Sequence, residues 1–577
     1  MTTISGVKLP QRKDRTFLPN DFSISTWELI EPYFVQLEQR PLPGKEDLVR
    51  WLMDLDELQS VFLESQAWRY IQMTGNMANA AYEEAFNFFA SSLEPKAAPY
   101  FNNYRKLLLA SPFSGKLEKE TFGIFLRSVK RELELYREEN IPLLTQIDVM
   151  GQEYARIVGA ITVVIRDKEM TLQQASNLFK STDRTVREQT YRQIRELRLA
   201  TRETLDALFD KLLHLRQQVA ANAGFANYRD FSFSALGRFD YSPADCFTLH
   251  DAVAAELVPL VRKLDEKRKQ TLGLDKLRPW DLDVDISGLP PLVPFANAED
   301  LIEKTIACFN RIHPDFGSYL RIMNEMGHFD LDSRKDKAPG GYNYHLPETG
   351  VPFIFMNSVG SLRDLVTMVH EGGHAIHSFL CRELPLKDNK DVPAEIAELA
   401  SMSMELISME HWDVFLPNPE DLKRAKKEQL EKVLRALPWI CLVDKFQHWV
   451  YVNPSHTHQE RKAAWRTIAS DFESTVIDWE GLEEGRESEW HKQLHIFEVP
   501  FYYIEYAFAQ LGAIAVWRNY RKDPVSSLQK YREALSLGYT QTIRELYEKA
   551  GVGFDFSREY VKELAGFVKE ELERLDA

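Results

Sequence analysis

The sequence predicts a mainly α fold carrying one small β-sheet, and three observations lead there. Apolar residues recur at helical spacing along most of the chain, one segment between Phe329 and Gly360 is rich in β-formers, and prolines punctuate the rest. Size permits such a fold: 577 residues with 44% hydrophobic and 27% charged content can bury a large core in more than one domain-sized unit. Gly 26 and Pro 27 stay near ordinary usage, which excludes collagen-like and low-complexity chains.

The first 160 or so residues read as successive amphipathic helices. Ser25-Thr26-Trp27-Glu28 has the form of a capping-box start, and Trp51, Leu52, Leu55, Leu58, Val61 and Phe62 share one helix face. The β-branched run Ile161-Thr162-Val163-Val164-Ile165, closed by Arg166-Asp167-Lys168, predicts a strand or hairpin and a subdomain boundary nearby. The expected division is therefore an N-terminal helical lobe over 1–190 and a second region over 191–577. Long helices are expected over 184–223 and 243–271, followed by a loop-rich stretch with Pro279, Pro290, Pro291 and Pro294. A small sheet is expected around Gly340-Gly341-Tyr342 and Val351 to Asn357. Helices resume at Ser361, with breaks at Pro385, Pro417, Pro438, Pro454, Pro500 and Pro524.

Charge and cysteines narrow the function classes. Lys+Arg 71 against Asp+Glu 87 gives −16, which repels phosphate backbones and anionic membrane surfaces, so neither nucleic acid nor a membrane is an expected partner. Cys246, Cys308, Cys381 and Cys441 stand far apart and form no CxxC pair, as suits a reducing compartment. Met1 to Pro19 has no apolar run after its basic residues, and no window approaches the length of a membrane span. The expected location is the cytoplasm.

One motif carries chemistry. His370-Glu371-Gly372-Gly373-His374 fits HExxH, whose i, i+4 spacing on a helix puts both imidazoles on one face, about 6 Å of rise apart, where they can share a metal ion. Glu371 stands beside them as a potential general base. Gly372 and Gly373 each cost about 1 kcal/mol relative to Ala in a helix, so keeping both implies close approach of another backbone or a ligand. A zinc ion with an open position needs a third protein ligand. His377 is about 10.5 Å along the axis from His370, too far to share the ion, and is read as a supporting or structural residue. The next helix, Ala394 to Glu405, offers Glu395, Glu398 and Glu405. Glu395 also reads as a first-turn acid and Glu405 as a buried ion-pair residue, so spacing leaves the choice open, with Glu398 slightly ahead.

Four stretches then resemble the oligoendopeptidase F and thimet oligopeptidase family: Lys337-Ala338-Pro339-Gly340-Gly341-Tyr342, Pro352 to Asn357, His370 to Ala375, and Pro500-Phe501-Tyr502-Tyr503-Ile504-Glu505-Tyr506-Ala507. The resemblance runs in motif order from about residue 200 to the end, while the N-terminal 190 residues match only in helical character. It implies a two-lobed helical metallopeptidase with a deep central channel, its catalytic zinc-peptidase region within 191–577. It also implies one catalytic zinc per chain, with Glu398 as the third ligand beside His370 and His374 and Glu405 in support. Ala400 stands where the family often has Pro. Similarity further suggests that a His and Tyr from the aromatic-rich segment holding His495, Tyr502, Tyr503 and Tyr506 face the oxyanion, and His495, Tyr503 and Tyr506 are favoured over Tyr502. Packing of these aromatics in the core is the competing reading.

Zinc lowers the pKa of its water towards about 7, and Glu371 would accept that water's proton. The expected function is zinc-dependent hydrolysis of internal bonds in short unfolded peptides. The alternatives are a zinc carboxypeptidase or dipeptidase and, from another class, a non-catalytic helical binding scaffold. Val351 to Asn357 is expected to offer an unpaired strand edge to an extended peptide.

Overall fold

Helical spacing becomes helix almost everywhere in the computed structural model, which describes residues 3–4, 7–9 and 12–577. Met1, Thr2, Ser5, Gly6, Pro10 and Gln11, part of the N-terminal stretch inspected for a leader, lie outside the described residues. The chain forms two compact units, each gathered from three stretches. The first takes 1–134, 293–422 and 512–554, and the second takes 135–292, 423–511 and 555–577.

In the first unit, the Trp27–Glu38 and Lys45–Gly75 helices bury the faces that their periodicity marks: Trp27, Ile30, Phe34 and Leu37 in one, Leu48, Trp51, Leu55, Leu58 and Phe62 in the other. Polar atoms in this core are paired, with Trp51 Nε1 donating to Leu37 O at 2.9 Å and Tyr104 Oη to Phe34 O at 2.7 Å. The first helix starts where expected, yet Thr26 makes no side-chain capping bond. Its first residue, Trp27, is buried.

The expected small sheet is present, with a different strand at its centre. Phe353–Ser358 lies between Phe329–Asp332, to which it runs parallel, and Tyr342–Tyr344, to which it runs antiparallel. It therefore has no free edge, and the expectation of an unpaired edge over Val351 to Asn357 is corrected: Tyr342–Tyr344 holds an end position. The cause is visible in composition. Phe353-Ile354-Phe355-Met356 is continuously apolar and buried on both faces, the pattern of an interior strand. Gly340 adopts φ 98° in the turn before the Tyr342–Tyr344 strand, where an L side chain would be strained. Asn357 Nδ2 donates to Ala338 O and Gly340 O at 2.8 and 2.9 Å, and the buried Lys337 ammonium donates to Asp330 O, Asp332 O and Met356 O.

In the second unit the β-branched run forms a hairpin, Thr162–Ile165 against Lys168–Thr171. Arg166 and Asp167 take φ 52° and 63°, the two positive values that a tight two-residue connection demands. The unit changes at 134 to 135, so the hairpin lies inside the second unit. The long helices divide into Arg184–Ala200 with Arg202–Asn222, and Pro243–Glu256 with Val258–Thr271. Pro438, expected to break a helix, lies inside the 34-residue Pro419–Val452 helix. An interior proline costs about 3 kcal/mol, and the buried Leu434, Leu437, Ile440 and Leu442 around it supply packing that offsets this.

Among the described residues no helix is long and apolar enough to cross a membrane. All four cysteines are free and buried.

Candidate active site

Two helices of the first unit make the donor set. Ser361 caps the Leu362–Leu380 helix in a reciprocal box with Asp364, which fixes where its turns begin. The two glycines then set its depth. A Cβ on Gly373 would stand 2.6 Å from Ser401 Cα and 2.9 Å from Ala400 O, and one on Gly372 would stand 2.7 Å from the Phe309 ring. The helix thus touches the Ala394–Ser408 helix backbone to backbone.

That contact brings His370 Nε2 to 3.2 Å and His374 Nε2 to 3.8 Å from Glu398 Oε2. One donor atom from each of the three lies within 4.8 Å of the others. Two imidazole nitrogens and one carboxylate oxygen match what zinc takes at about 2.0–2.2 Å per bond, so the residues present fit the ion. Glu398, rather than Glu395 or Glu405, is the carboxylate in this group. Glu405 serves a different atom: its Oε1 lies 2.7 Å from His370 Nδ1, leaving Nε2 turned towards Glu398. Ser401 Oγ donates to Glu398 Oε2 at 2.9 Å.

Three groups that the sequence did not reveal hold the two helices. Tyr531 Oη donates to Ala400 O at 2.7 Å, and Tyr547 Oη donates to Glu395 O at 3.0 Å. From the end strand of the sheet, Asn343 Nδ2 donates to Glu371 O at 3.2 Å. Each is remote in sequence from what it holds, so no local pattern could have found it.

The electrostatics follow from burial and opposed charge. Burial pushes Glu371 up to about 7. It would raise Glu398 too, but His374, His370 and Ser401 outweigh it and bring that carboxyl down to about 2. Burial lowers His374 to about 4, whereas Glu398 and Glu405 overcome burial at His370 and raise it well above the usual imidazole value. His377 is buried on the same helix but outside the donor group, and burial lowers it to about 3.

His495, Tyr503 and Tyr506 belong to the second unit, where the structure brings them together. Ring centroids of Tyr503 and Tyr506 lie 4.7 and 5.9 Å from that of His495. Tyr502 joins them at 6.1 Å, so both adjacent tyrosines reach the His495 ring, although neighbouring positions on a regular helix would point about 100° apart. The reason is an irregular backbone: Phe501 has φ 70°, Tyr502–Ile504 form a tight turn, and regular helix begins only at Glu505. All three tyrosines are half-buried, and burial pushes Tyr503 up to about 12.

Sequence reasoning also missed what holds this segment. Arg238 donates to Phe501 O and to Glu505 Oε1, and Phe501 N donates to Gln447 Oε1 at 3.0 Å. Arg216, fully buried, donates to Ile496 O at 3.1 Å and to Phe497 O. A charged residue amid Leu212, Leu213, Leu215 and Val219 was the available clue.

With this geometry in view, comparison with known proteins is informative. The model of peptidase family M3 matches residues 177–566, and that of the peptidase M3 N-terminal domain matches 17–136. The oligoendopeptidase F homolog of Lactococcus lactis subsp. lactis (strain IL1403) is 24% identical over 402 residues, which are 67% of this chain and 63% of the relative. Oligopeptidase PepF of Bacillus subtilis (strain 168) is 25% identical over 332 residues, 55% of this chain and 47% of the relative. The match thus spans less than two thirds of the length of these curated relatives. Among solved structures, PZ peptidase A with inhibitor 2 superposes with a TM-score of 0.89 at 27% identity, covering 96% of this chain and 99% of that one. Oligoendopeptidase-F from Enterococcus faecium shares the fold, with a TM-score of 0.65 at 16% identity over 95% of this chain and 97% of its own.

Proposed function

The chain belongs to peptidase family M3, and from that membership we propose that it is a zinc-dependent oligoendopeptidase that hydrolyses internal bonds of short unfolded peptides. The observation that carries the reading is the convergence of His370, His374 and Glu398 with Glu371 alongside. The names of the relatives, oligoendopeptidase F and oligopeptidase, support the reaction class. In this reading the residues that do the chemistry all come from 191–577, while the 1–134 stretch is a mainly helical part of the unit that carries the metal-site helices.

His370, His374 and Glu398 would hold one zinc per chain. A bound zinc supplies a Lewis acid for the scissile carbonyl and acidifies water towards neutrality. The chain does the rest. Glu371, the HExxH glutamate outside the ligand set, takes a proton from the attacking water on its carboxylate and delivers it to the leaving amine nitrogen. Glu405 keeps His370 Nδ1 engaged, so that Nε2 remains the free donor. His495, Tyr503 and Tyr506 donate hydrogen bonds to the substrate carbonyl oxygen as negative charge develops on it.

The test uses an internally quenched peptide of about ten residues, blocked at both ends, beside the same peptide with a free carboxylate. Cleavage of the blocked peptide at an internal bond is expected. Turnover confined to the free-carboxylate peptide would replace this reading with a carboxypeptidase.

A further inference from the structure

We propose a second metal site, built for zinc, in the second unit: Cys246, Asp444 and His448 are its ligands, and His250 holds the Asp444 carboxylate. The four residues form two i, i+4 pairs. Cys246 and His250 share one face of the Pro243–Glu256 helix, and Asp444 and His448 share one face of the Pro419–Val452 helix. His250 Nε2 lies 2.9 Å from Asp444 Oδ2, so the two faces meet. Donor atoms of Cys246, Asp444 and His448 lie within 4.8 Å of one another, as do those of the donor set in the first unit.

Burial and unmet bonding separate this cluster from an ordinary ion pair. Cys246, His250 and Asp444 are 0% exposed and His448 is 2% exposed. His448 Nε2 stands 3.1 Å from Asp444 Oδ2, the same oxygen that His250 Nε2 approaches, while His448 Nδ1 and Asp444 Oδ1 have no hydrogen-bond partner. Two imidazoles therefore crowd one carboxylate oxygen beside a buried thiol, and the second oxygen is left unbonded. A cation among the donors engages the thiol, the imidazole and the carboxylate together.

The chemistry selects the ion. Sulfur, imidazole nitrogen and a carboxylate oxygen form a donor set for zinc; calcium and magnesium require oxygen throughout. Thiolate, carboxylate and a neutral imidazole bring two negative charges to a dication. The site is then neutral, as its surroundings demand: the rings of Phe233, Phe247 and Phe501 pack 5.7, 4.7 and 5.2 Å from that of His448, and Phe472 lies 6.3 Å from His250. With no exposed donor and an aromatic shell, the site fastens two helices rather than meeting substrate.

The experiment counts zinc by elemental analysis after equilibration with excess Zn²⁺ and desalting, in wild type, His374→Ala and Cys246→Ser, with X-ray absorption at the zinc edge on His374→Ala. Two zinc ions are expected in wild type and one in each variant, and the ion left in His374→Ala should show sulfur at about 2.3 Å. Cys246→Ser should keep peptidase activity while its thermal midpoint falls. One zinc in wild type and none in His374→Ala, or a retained ion with nitrogen and oxygen ligands only, overturns the proposal and leaves the proposed function standing. A single zinc that survives His374→Ala and carries sulfur supports this site and instead overturns the His370, His374 and Glu398 assignment. Should Cys246→Ser fail to fold, the absorption spectrum of His374→Ala decides alone.

Discussion

The donor set of the first unit and the aromatic segment of the second reach their geometry by different means. His370 and His374 are placed by the period of one helix, and Glu398 by a backbone contact that two glycines permit. His495, Tyr502, Tyr503 and Tyr506 are placed by a left-handed residue and a tight turn, held by arginines from far along the chain. Regular structure encodes the histidine pair locally, so spacing predicts that pair. Irregular structure encodes a site through its partners, which no spacing reveals.

That comparison can be broken at its strongest point first. His374→Ala removes one of three ligands, and loss of the first-unit zinc together with peptidase activity is expected. Elemental analysis with a peptide assay checks it, and unchanged tightly bound zinc at this site would show that helix period does not set the ligands. Glu371→Gln should retain metal while kcat falls by about 10²- to 10⁴-fold, because an amide cannot accept a proton. Near-normal kcat in the zinc-loaded variant would remove Glu371 as the base.

The irregular side is tested by Tyr503→Phe and Tyr506→Phe. If either hydroxyl serves the oxyanion, kcat should drop by roughly 10- to 1,000-fold with little change in KM. Parental kcat in both would return the tyrosines to packing and leave His495 with the role. The smallest effect sharpens the glycine argument. Gly373→Ala, usually favourable in a helix, should cost about 1–3 kcal/mol through overpacking against Ser401 and Ala400 and should weaken zinc binding. A thermal melt and a zinc titration that both match wild type would show that the two helices can move apart freely.

Much of the fold was legible because helices and hairpins announce themselves locally. The run from Ile161 to Ile165 predicted a strand or hairpin, and the hairpin is what forms, though the unit boundary falls earlier, at 134 to 135; the 362–380 helix was legible from its apolar faces. Val351 to Asn357 was legible as a strand but its neighbours were not, since strand order depends on what pairs from elsewhere. Its unbroken apolar run, Phe353 to Met356, did contain the clue to a central position. Among the three glutamates, spacing could not choose. The structure groups Glu398 with the histidines through packing at Gly373, a distance between backbones that sequence does not print. Pro438 misled because propensity describes an isolated helix and not one braced by buried neighbours.

The two buried arginines also impose an order in time. Arg216 is synthesised 280 residues before Ile496, whose carbonyl it meets, and Arg238 is synthesised 263 residues before Phe501. While the ribosome works through that interval, Arg216 sits on the Arg202–Asn222 helix and Arg238 in the loop after the Tyr228–Ala235 helix, and the Ile496 and Phe501 carbonyls that receive them have not yet been made. The second unit therefore cannot close as it emerges, and its nascent form presents two solvated cations where the finished protein has interior. Arrested chains ending before Leu494 should stay protease-sensitive across 202–238, and chains extended past Lys522 should become protected there.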